Sequence, residues 1–320
     1  MIQVSIIIPV YNEEESLPEL TEWISRVVVK NKLTYEVIFI NDGSSDSSWE
    51  VIQSLARENG HIKAVGFSRN YGKSAALDIG FSKAVGEVVI TMDADLQDSP
   101  DEIPELYKMV VEGGFDIVSG WKRKRYDPFT KTIPSRFFNG VTRMISGIKL
   151  HDFNCGLKAY RNKVVKQIHI YGEMHRYIPL IAKWNGFSKI GEKAVEHRAR
   201  KYGTTKFGLE RFVHGFLDLI SVSFVNRYKK KPMHFFGTLG TLSFLSGFLI
   251  TCWLIFEKIY GLHKGIFVRE ITDQPLFFLS LVALIVGVQL FLTGFLAEMM
   301  TSTSTPKNDY NIDEELNFIN

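Results

Sequence analysis

The stretch "ITMDADLQDSPDEI" (Ile90–Ile103) decides how this chain is read. A short apolar run ends in Asp93, Asp95 and Asp98, and Pro100 then opens a helical pattern. A buried strand that runs out into acids just before a helix is one beat of a strand–helix alternation. The sequence on either side keeps the rhythm. "VSIIIPV" (Val4–Val10), "YEVIFIND" (Tyr35–Asp42) and "IKAVGFS" (Ile62–Ser68) read as strands. Each precedes a helical pattern: "NEEESLPELTEWISRVV", "SSDSSWEVIQSLAREN" with Ser and Asp caps, and "GKSAALDIGFSKAVG". After "SPDEIPELYKMVVEGG", "FDIVSGW" is a further strand. The fold class is α/β, with a largely parallel sheet and helices on both faces.

In such a sheet ligands bind beyond the carboxyl ends of the strands. The residues there are polar: Tyr11, Asn12 and Glu13 after the first strand, Asn41 and Asp42 after the second, Arg69, Asn70, Gly72 and Lys73 after the third, and Asp93 and Asp95 after the fourth. No G-x-G-x-x-G follows the first strand and no P-loop occurs, so both phosphate fingerprints are missing. On extended chain Asp93 and Asp95 point the same way, and two carboxylates at one rim repel unless a cation lies between them. A hard divalent ion, Mg2+ or Mn2+, suits such oxygens, and Gln97 adds a neutral one. The other reading is a surface loop whose acids cap the next helix, and for Asp98 and Ser99 capping is the preferred one.

With 320 residues, the chain holds one large domain and something extra. A formal net charge of +3 is too small to argue for a nucleic-acid partner. Cys155 and Cys252 are far apart, so neither a disulfide framework nor a zinc spacing is read. The N-terminus reads as a first strand with no basic leader. Towards the C-terminus, Phe235–Phe256 and Pro275–Ala297 carry no charge. As a helix the first run measures roughly 33 Å, enough to cross a bilayer core. With a loop over Glu257–Gln274 they form a membrane hairpin with both chain ends on one side. Arg227, Lys229, Lys230 and Lys231 before the first run place those ends in the cytoplasm. Phe212, Val213, Phe216, Leu217, Ile220 and Phe224 fall near helical spacing, as for an amphipathic helix in the interface or against the soluble domain.

The motifs "PVYNEEESL", "NDGSSD" and "MDADLQD", in this order after strands one, two and four, resemble the family 2 glycosyltransferases of the GT-A fold. The resemblance continues through "GWKRKRYD", "SRFFN", "HDFNCGLKAYR", "GEMHRYIP" and "HRARKYGTTKFG" and covers about residues 4–210. It looks like the branch of dolichol-phosphate mannose synthase and the bacterial polyprenyl-phosphate glycosyltransferases. The resemblance implies an inverting, metal-dependent transfer of one sugar from a nucleotide sugar to a polyprenyl phosphate in the inner membrane, for cell-envelope glycan or glycolipid modification. A UDP-sugar is favoured and GDP-mannose is the other donor. It implies that Pro9, Tyr11 and Glu13 hold base and ribose, that Ile40 and Asp42 meet the base, and that Asp93 and Ala94 touch ribose and diphosphate. Asp93, Asp95 and Gln97 would hold the metal.

Two anions must be brought together, which calls for cations. Arg123 and Arg125 on the loop after the fifth strand, Arg136, and His175 and Arg176 in "GEMHRYIP" are the acceptor-phosphate candidates. Arg200 and Lys206 are further candidates on the donor side. Lys124 and Arg125 also read as a solvated charge run. Asp152 in "HDFNCG" is the candidate base or positioning group, or else a structural carboxylate on the backbone of Asn154 to Gly156. Arg123, Asp95 and Asp152 form the expected catalytic set. The expected organisation is a GT-A domain over 1–210, an amphipathic helix over 211–231, a hairpin over 232–300 and a loose polar tail over 301–320. Gly237, Gly240 and Gly247 would let paired hairpins associate into a homo-oligomer. Two alternatives stand beside this reading: a chain-elongating polysaccharide synthase, against which the absence of Q-x-x-R-W argues, and a non-catalytic, membrane-tethered nucleotide-sugar-binding subunit.

Overall fold

The structure is a computed structural model that describes residues 2–123, 139–144, 146–198, 201–202, 224, 231–303 and 312–317. Arg125, Arg136, Arg200 and Lys206 lie outside the described residues, as does the expected amphipathic helix apart from Phe224 and Lys231.

The five strands read from sequence form as β1 (Val4–Val10), β2 (Tyr35–Asn41), β3 (Ile62–Phe67), β4 (Val88–Thr91) and β5 (Ile117–Lys122). Three more join them: β6 (Lys158–Arg161), β7 (Ile190–Val195) and β8 (Ile312–Leu316). The sheet order is β7-β5-β6-β4-β1-β2-β3-β8. β1 is parallel to both β2 and β4, so the chain order reverses at β1/β4, where such sheets open a crevice. β6 runs antiparallel to β4 and pairs Lys158 with Thr91. This brings the segment before β6, "HDFNCGL", to the edge where β4 ends.

The near-continuous apolar runs have a physical reason: both faces are covered, so both sets of alternate side chains are buried. In β1, Val4, Ile6, Ile8 and Val10 join one core cluster while Ile7 joins the other. Helices α1 (Leu17–Lys30), α2 (Ser48–Glu58) and α4 (Ile103–Val111) supply Leu17, Leu20, Ile24, Ile52, Ile103 and Leu106 to the first cluster. Helix α3 (Lys73–Lys83) supplies Ala76, Leu77 and Phe81 to the second, with Tyr160, Tyr177 and Leu180. Each fully buried large apolar side chain contributes about 1.5–3 kcal/mol.

The chain divides into two compact units, Met1–Val222 with Asn308–Asn320, and Ser223–Lys307. The second contains two helices long and apolar enough to cross a membrane, Pro232–Lys264 and Pro275–Thr303. The first outruns its expected end. Residues read as loop from Glu257 remain helical to Lys264, where Gly265 stops the helix in a left-handed turn. Lys258 Nζ then ties the connection back, reaching Val268 O at 3.1 Å and Glu270 Oε1 at 2.8 Å. The glycine face expected to meet a second copy is occupied within the hairpin. Gly240 lies against the backbone of Gly287 and Phe291, and Gly247 against Ser280. Ser243 Oγ donates to Ala283 O at 2.8 Å across the same seam.

The tail departs most from expectation. It is not wholly loose, because β8 pairs antiparallel with β3, setting Ala64 opposite Leu316. The side-chain amide of Asn317 then donates to Ala56 O and Ile62 O at 3.0 and 2.8 Å. Pairing covers the exposed edge of β3, which would otherwise present unpaired backbone groups.

Candidate active site

The carboxyl edge of the sheet gathers most of the described candidate residues. The loop after β1 is laced to the loop after β2: Asn12 N donates to Ser44 Oγ at 3.0 Å, Ser45 N to Asn12 Oδ1 at 2.8 Å and Glu13 N to Ser48 Oγ at 2.9 Å. Tyr11 is 41% exposed at the crevice mouth. Pro9 is partly covered below it. The Ile40 side chain is fully buried in β2 and belongs to the core, so this position offers a ligand only its backbone. Ala94 is buried too and offers a ligand only its backbone.

Asp42 is held inward. Its two oxygens accept the N–H groups of Tyr71 and Gly72 at 2.7 and 2.9 Å. Burial raises its pKa, and those two N–H donors oppose the rise. Its visible work is to pin the turn before α3, where Gly72 has φ +91°, a conformation that favours glycine. That turn aims Lys73, the first residue of α3.

The acid stretch is not extended chain, contrary to expectation. β4 stops at Thr91, and Asp93 to Leu96 make a turn with Leu96 at φ +58°. The acids still crowd one another. Lys73 Nζ donates to Asp93 Oδ1. Burial would raise the Asp93 carboxyl, but Lys73, with Lys122 and Lys158 behind it, overrides this and holds it at about 2. Burial first, then the Asp93 and Asp98 charges, push Asp95 up to about 6, although Gln97 N donates to Asp95 Oδ1 at 3.2 Å. Asp98 does not cap the following helix. Its buried carboxylate pairs with Lys122 Nζ at 2.9 Å, and no side-chain cap bond is made by Ser99. Burial works against the Lys122 ammonium, but Asp98, Cys155 and Asp93 prevail and raise its pKa.

β6 brings up the far wall. Gly156 backs onto Asp93 so closely that a Cβ there would fall 2.4 Å from Asp93 Oδ2. Lys158, 3% exposed, donates to Cys155 O, and burial lowers its pKa. Burial pushes the Cys155 thiol up to about 12, so it is inert. Asp152 is 1% exposed and accepts the N–H of Asn154 at 3.0 Å, which is structural work. His151 stacks on Trp121 with ring centres 4.2 Å apart and pairs with Glu192, as scaffold.

Of the acceptor-phosphate candidates, Arg123 is exposed just beyond β5. Arg176 is engaged with Glu173 at 3.0 Å. His175 bonds twice to Ser74, its ring Nδ1 and its backbone N each 3.0 Å from Ser74 Oγ. Burial, then Lys73 and Arg176, drive its pKa well below 6.5, so it is a neutral wall residue. Arg198 runs beside the acids: its N donates to Gln97 O at 2.9 Å, and Gln97 Nε2 reaches Arg198 O at 3.5 Å.

Lys122 and Lys158 are the residues that sequence reasoning missed, and Lys73 it named after the third strand without giving it a role. A lysine reads as solvent-facing. The available signal was Lys158 set between the apolar Leu157 and Ala159.

Among the described residues no three His, Cys, Asp or Glu side chains gather into a cation cage. The expected donor set, two carboxylates and an amide, would suit a hard divalent ion that takes its other oxygens from water and ligand phosphate. The elevated Asp95 marks negative charge that such an ion would take up.

The architecture has solved counterparts. Glucosyl-3-phosphoglycerate synthase from Mycobacterium tuberculosis, in complex with Mn2+, UDP and glucosyl-3-phosphoglycerate, aligns with TM-score 0.55 at 17% identity, covering 70% of this chain and 79% of that one. The fold is therefore that of a GT-A glycosyltransferase. Residues 5–169 match the model of glycosyl transferase family 2, and the chain belongs to that family. It is 37% identical over 305 residues to dodecaprenyl-phosphate galacturonate synthase of Rhizobium johnstonii, which spans 94% of this chain and 88% of that protein. It is 34% identical over 303 residues to undecaprenyl-phosphate 4-deoxy-4-formamido-L-arabinose transferase of Pseudomonas aeruginosa, with 93% and 84% covered. The chain is thus a glycosyltransferase enzyme.

Proposed function

We propose that this enzyme transfers one sugar from a nucleotide sugar to a polyprenyl phosphate at the cytoplasmic face of the inner membrane, inverting the anomeric centre. A connectivity carries the reading: the unit that bears the acid rim gives way to an apolar two-helix hairpin and is completed again by β8. One sheet lies on one side of a bilayer, so an even number of crossings separates residue 231 from residue 312. The basic residues Arg227 to Lys231 favour the cytoplasm for that side. The hairpin would tether the enzyme to the membrane that holds such lipids, and the two named relatives are a dodecaprenyl-phosphate galacturonate synthase and an undecaprenyl-phosphate sugar transferase.

The acceptor phosphate loses its second proton near about pH 6, so at neutral pH its oxygen is already a nucleophile. It attacks the anomeric carbon from one face while the bond to the nucleoside diphosphate breaks on the other. No protein base is needed, which agrees with a buried Asp152 whose part is to shape the "HDFNCG" turn. Tyr11 borders the base, Lys73 stands beside the diphosphate at the N-terminus of α3, and Arg123 meets the acceptor. A divalent cation, Mg2+ or Mn2+, held by Asp93, Asp95 and the Gln97 oxygen would supply Lewis acidity worth several kcal/mol. A UDP-sugar remains the favoured donor, with GDP-mannose the other.

The test is transfer from a panel of radiolabelled nucleotide sugars to polyprenyl phosphate in detergent, with Mn2+, with Mg2+, with chelator and with Asp95→Ala. The expected product is lipid-linked and metal-dependent, and it falls by at least about 100-fold in Asp95→Ala. No lipid product from any donor, with metal present and the protein folded, would overturn the reading in favour of another acceptor or a binding subunit.

A further inference from the structure

We propose that Lys73 keeps the cation seat closed until a nucleotide arrives, so that metal affinity at this site is conditional on the donor's diphosphate. The proposal rests on the metal-dependent reading above. It begins from the contact between Lys73 Nζ and Asp93 Oδ1. Asp93 is backed by Gly156, with no room for even a methyl group between them. The ammonium takes Oδ1 on another side, and the carboxylate is left about a third exposed. With Asp93 so occupied, Asp95 is the only other carboxylate of the expected metal set. A single carboxylate does not hold a divalent ion against water, and the third acid nearby, Asp98, is engaged by Lys122 at 2.9 Å.

The three lysines of the rim differ in their freedom to leave. Lys122 is 14% exposed and faces a wholly buried Asp98, and Lys158 is 3% exposed under Cys155 O. Lys73 and Asp93 are about a third exposed, 33% and 32%. An ion pair that solvent reaches is weakly held, so it exchanges readily for a stronger partner. A diphosphate is such a partner. It carries several negative charges and would arrive at the N-terminus of α3, where the free backbone N–H groups and the helix dipole also favour an anion. Lys73 turns from Asp93 to the phosphate; Asp93 is released; the phosphate oxygens complete the ligand set that the protein leaves short. The backbone at Lys73 need not move, because Asp42 fixes the Tyr71–Gly72 turn beneath it.

The measurement is free Mn2+ by its electron paramagnetic resonance signal, titrated against the full chain in detergent, with and without UDP, and with GDP in parallel. In the wild type, nucleotide is expected to tighten Mn2+ binding at least tenfold. Lys73→Gln is expected to tighten nucleotide-free Mn2+ binding at least fivefold and so narrow that gap, whereas Lys73→Arg behaves as wild type. Calorimetry with UDP in chelator supplies a second readout: the wild type binds metal-free UDP, and Lys73→Gln does so at least tenfold more weakly. Nucleotide-free Mn2+ affinity that is unchanged or weaker in Lys73→Gln, while nucleotide-dependent Mn2+ binding persists, would overturn the role of Lys73 and leave the metal reading standing. Equal metal-free UDP binding by Lys73→Gln and wild type would also overturn it. Absence of Mn2+ binding in every form, with either nucleotide, would overturn the metal reading and this proposal together.

Discussion

Glu36 and Asp95 are acids set into the same sheet, one near each end of the strands, and their surroundings are opposite. At the amino end, Glu36 is 1% exposed and fully served. Its Oε1 accepts Ser5 Oγ at 2.5 Å and Val85 N at 2.9 Å, and Lys63 Nζ stands 2.8 Å from Oε2. At the carboxyl end, Asp93, Asp95 and Asp98 share a small space with Lys73, Lys122 and Lys158, and Asp95 is left high, at about 6. A satisfied buried acid stabilises a fold; acids crowded together and incompletely matched are what a binding site looks like before its ligand is present. The same residue type therefore serves structure at one end and chemistry at the other, and the two ends should respond differently to mutation.

The largest effect on stability is expected at the border between the two roles. Lys122→Met removes the cation facing a wholly buried Asp98 and leaves that charge beside two others. Breaking such a pair costs about 3–5 kcal/mol, or roughly 10 °C in melting temperature for a chain of this size. Adding Asp98→Leu should recover most of the loss, because an apolar pair replaces an ion pair at little cost. If the double variant melts no higher than Lys122→Met, the pair is not a unit, and Lys122 serves Asp93 or Asp95 instead.

The complementary variant at the other end is Glu36→Gln. It keeps one oxygen for Val85 N but turns a carboxamide towards Lys63, at a cost of about 1–3 kcal/mol. Turnover per folded molecule should stay at the wild-type level, in contrast to Asp95→Ala, which should lose turnover and keep its melting temperature. Loss of turnover in folded Glu36→Gln would erase the distinction between the two ends.

The two ends were also unequally legible in the sequence. The alternation of "VSIIIPV", "YEVIFIND" and "IKAVGFS" with helical patterns revealed β1 to β3, because strands buried on both faces show unbroken apolar runs. β6, β7 and β8 escaped: "KAYR", "IGEKAV" and "IDEEL" are short and polar, and each becomes a strand through a partner distant in the chain. For the site, the positions of the acids were legible while their environment was not. Asp93 and Asp95 were found as carboxylates, but the period-2 argument assigned them to a strand that stops at Thr91. The lysines that set their charge come from α3, β5 and β6, and no spacing in sequence foretells that convergence. At Ile40 the resemblance names a position whose side chain is core, which leaves only its backbone for a ligand.

The smallest expected effect concerns His175, which belongs to the same cationic belt. Burial, with Lys73, Arg176 and Lys158 nearby, lowers its pKa well below 6.5, and the more distant Asp93 only partly opposes them. In the unfolded chain the imidazole takes its proton near about pH 6.5, and in the folded chain it does not. The unfolded state therefore binds more protons below that pH, and stability falls as pH falls, by at most about 1.4 kcal/mol per unit for one site. Above about pH 7 both states are neutral and the contribution is flat. His175→Asn removes the titration, so its melting temperature should trail the wild type at pH 7.5, where the Ser74 bonds are intact, and close on it at pH 5.5. A gap that stays constant or widens on acidification would mean that the folded protein accepts the proton. His175 would then be a cation at the rim, available to phosphate, and the carboxyl end would carry one more positive charge than the contacts now assign to it.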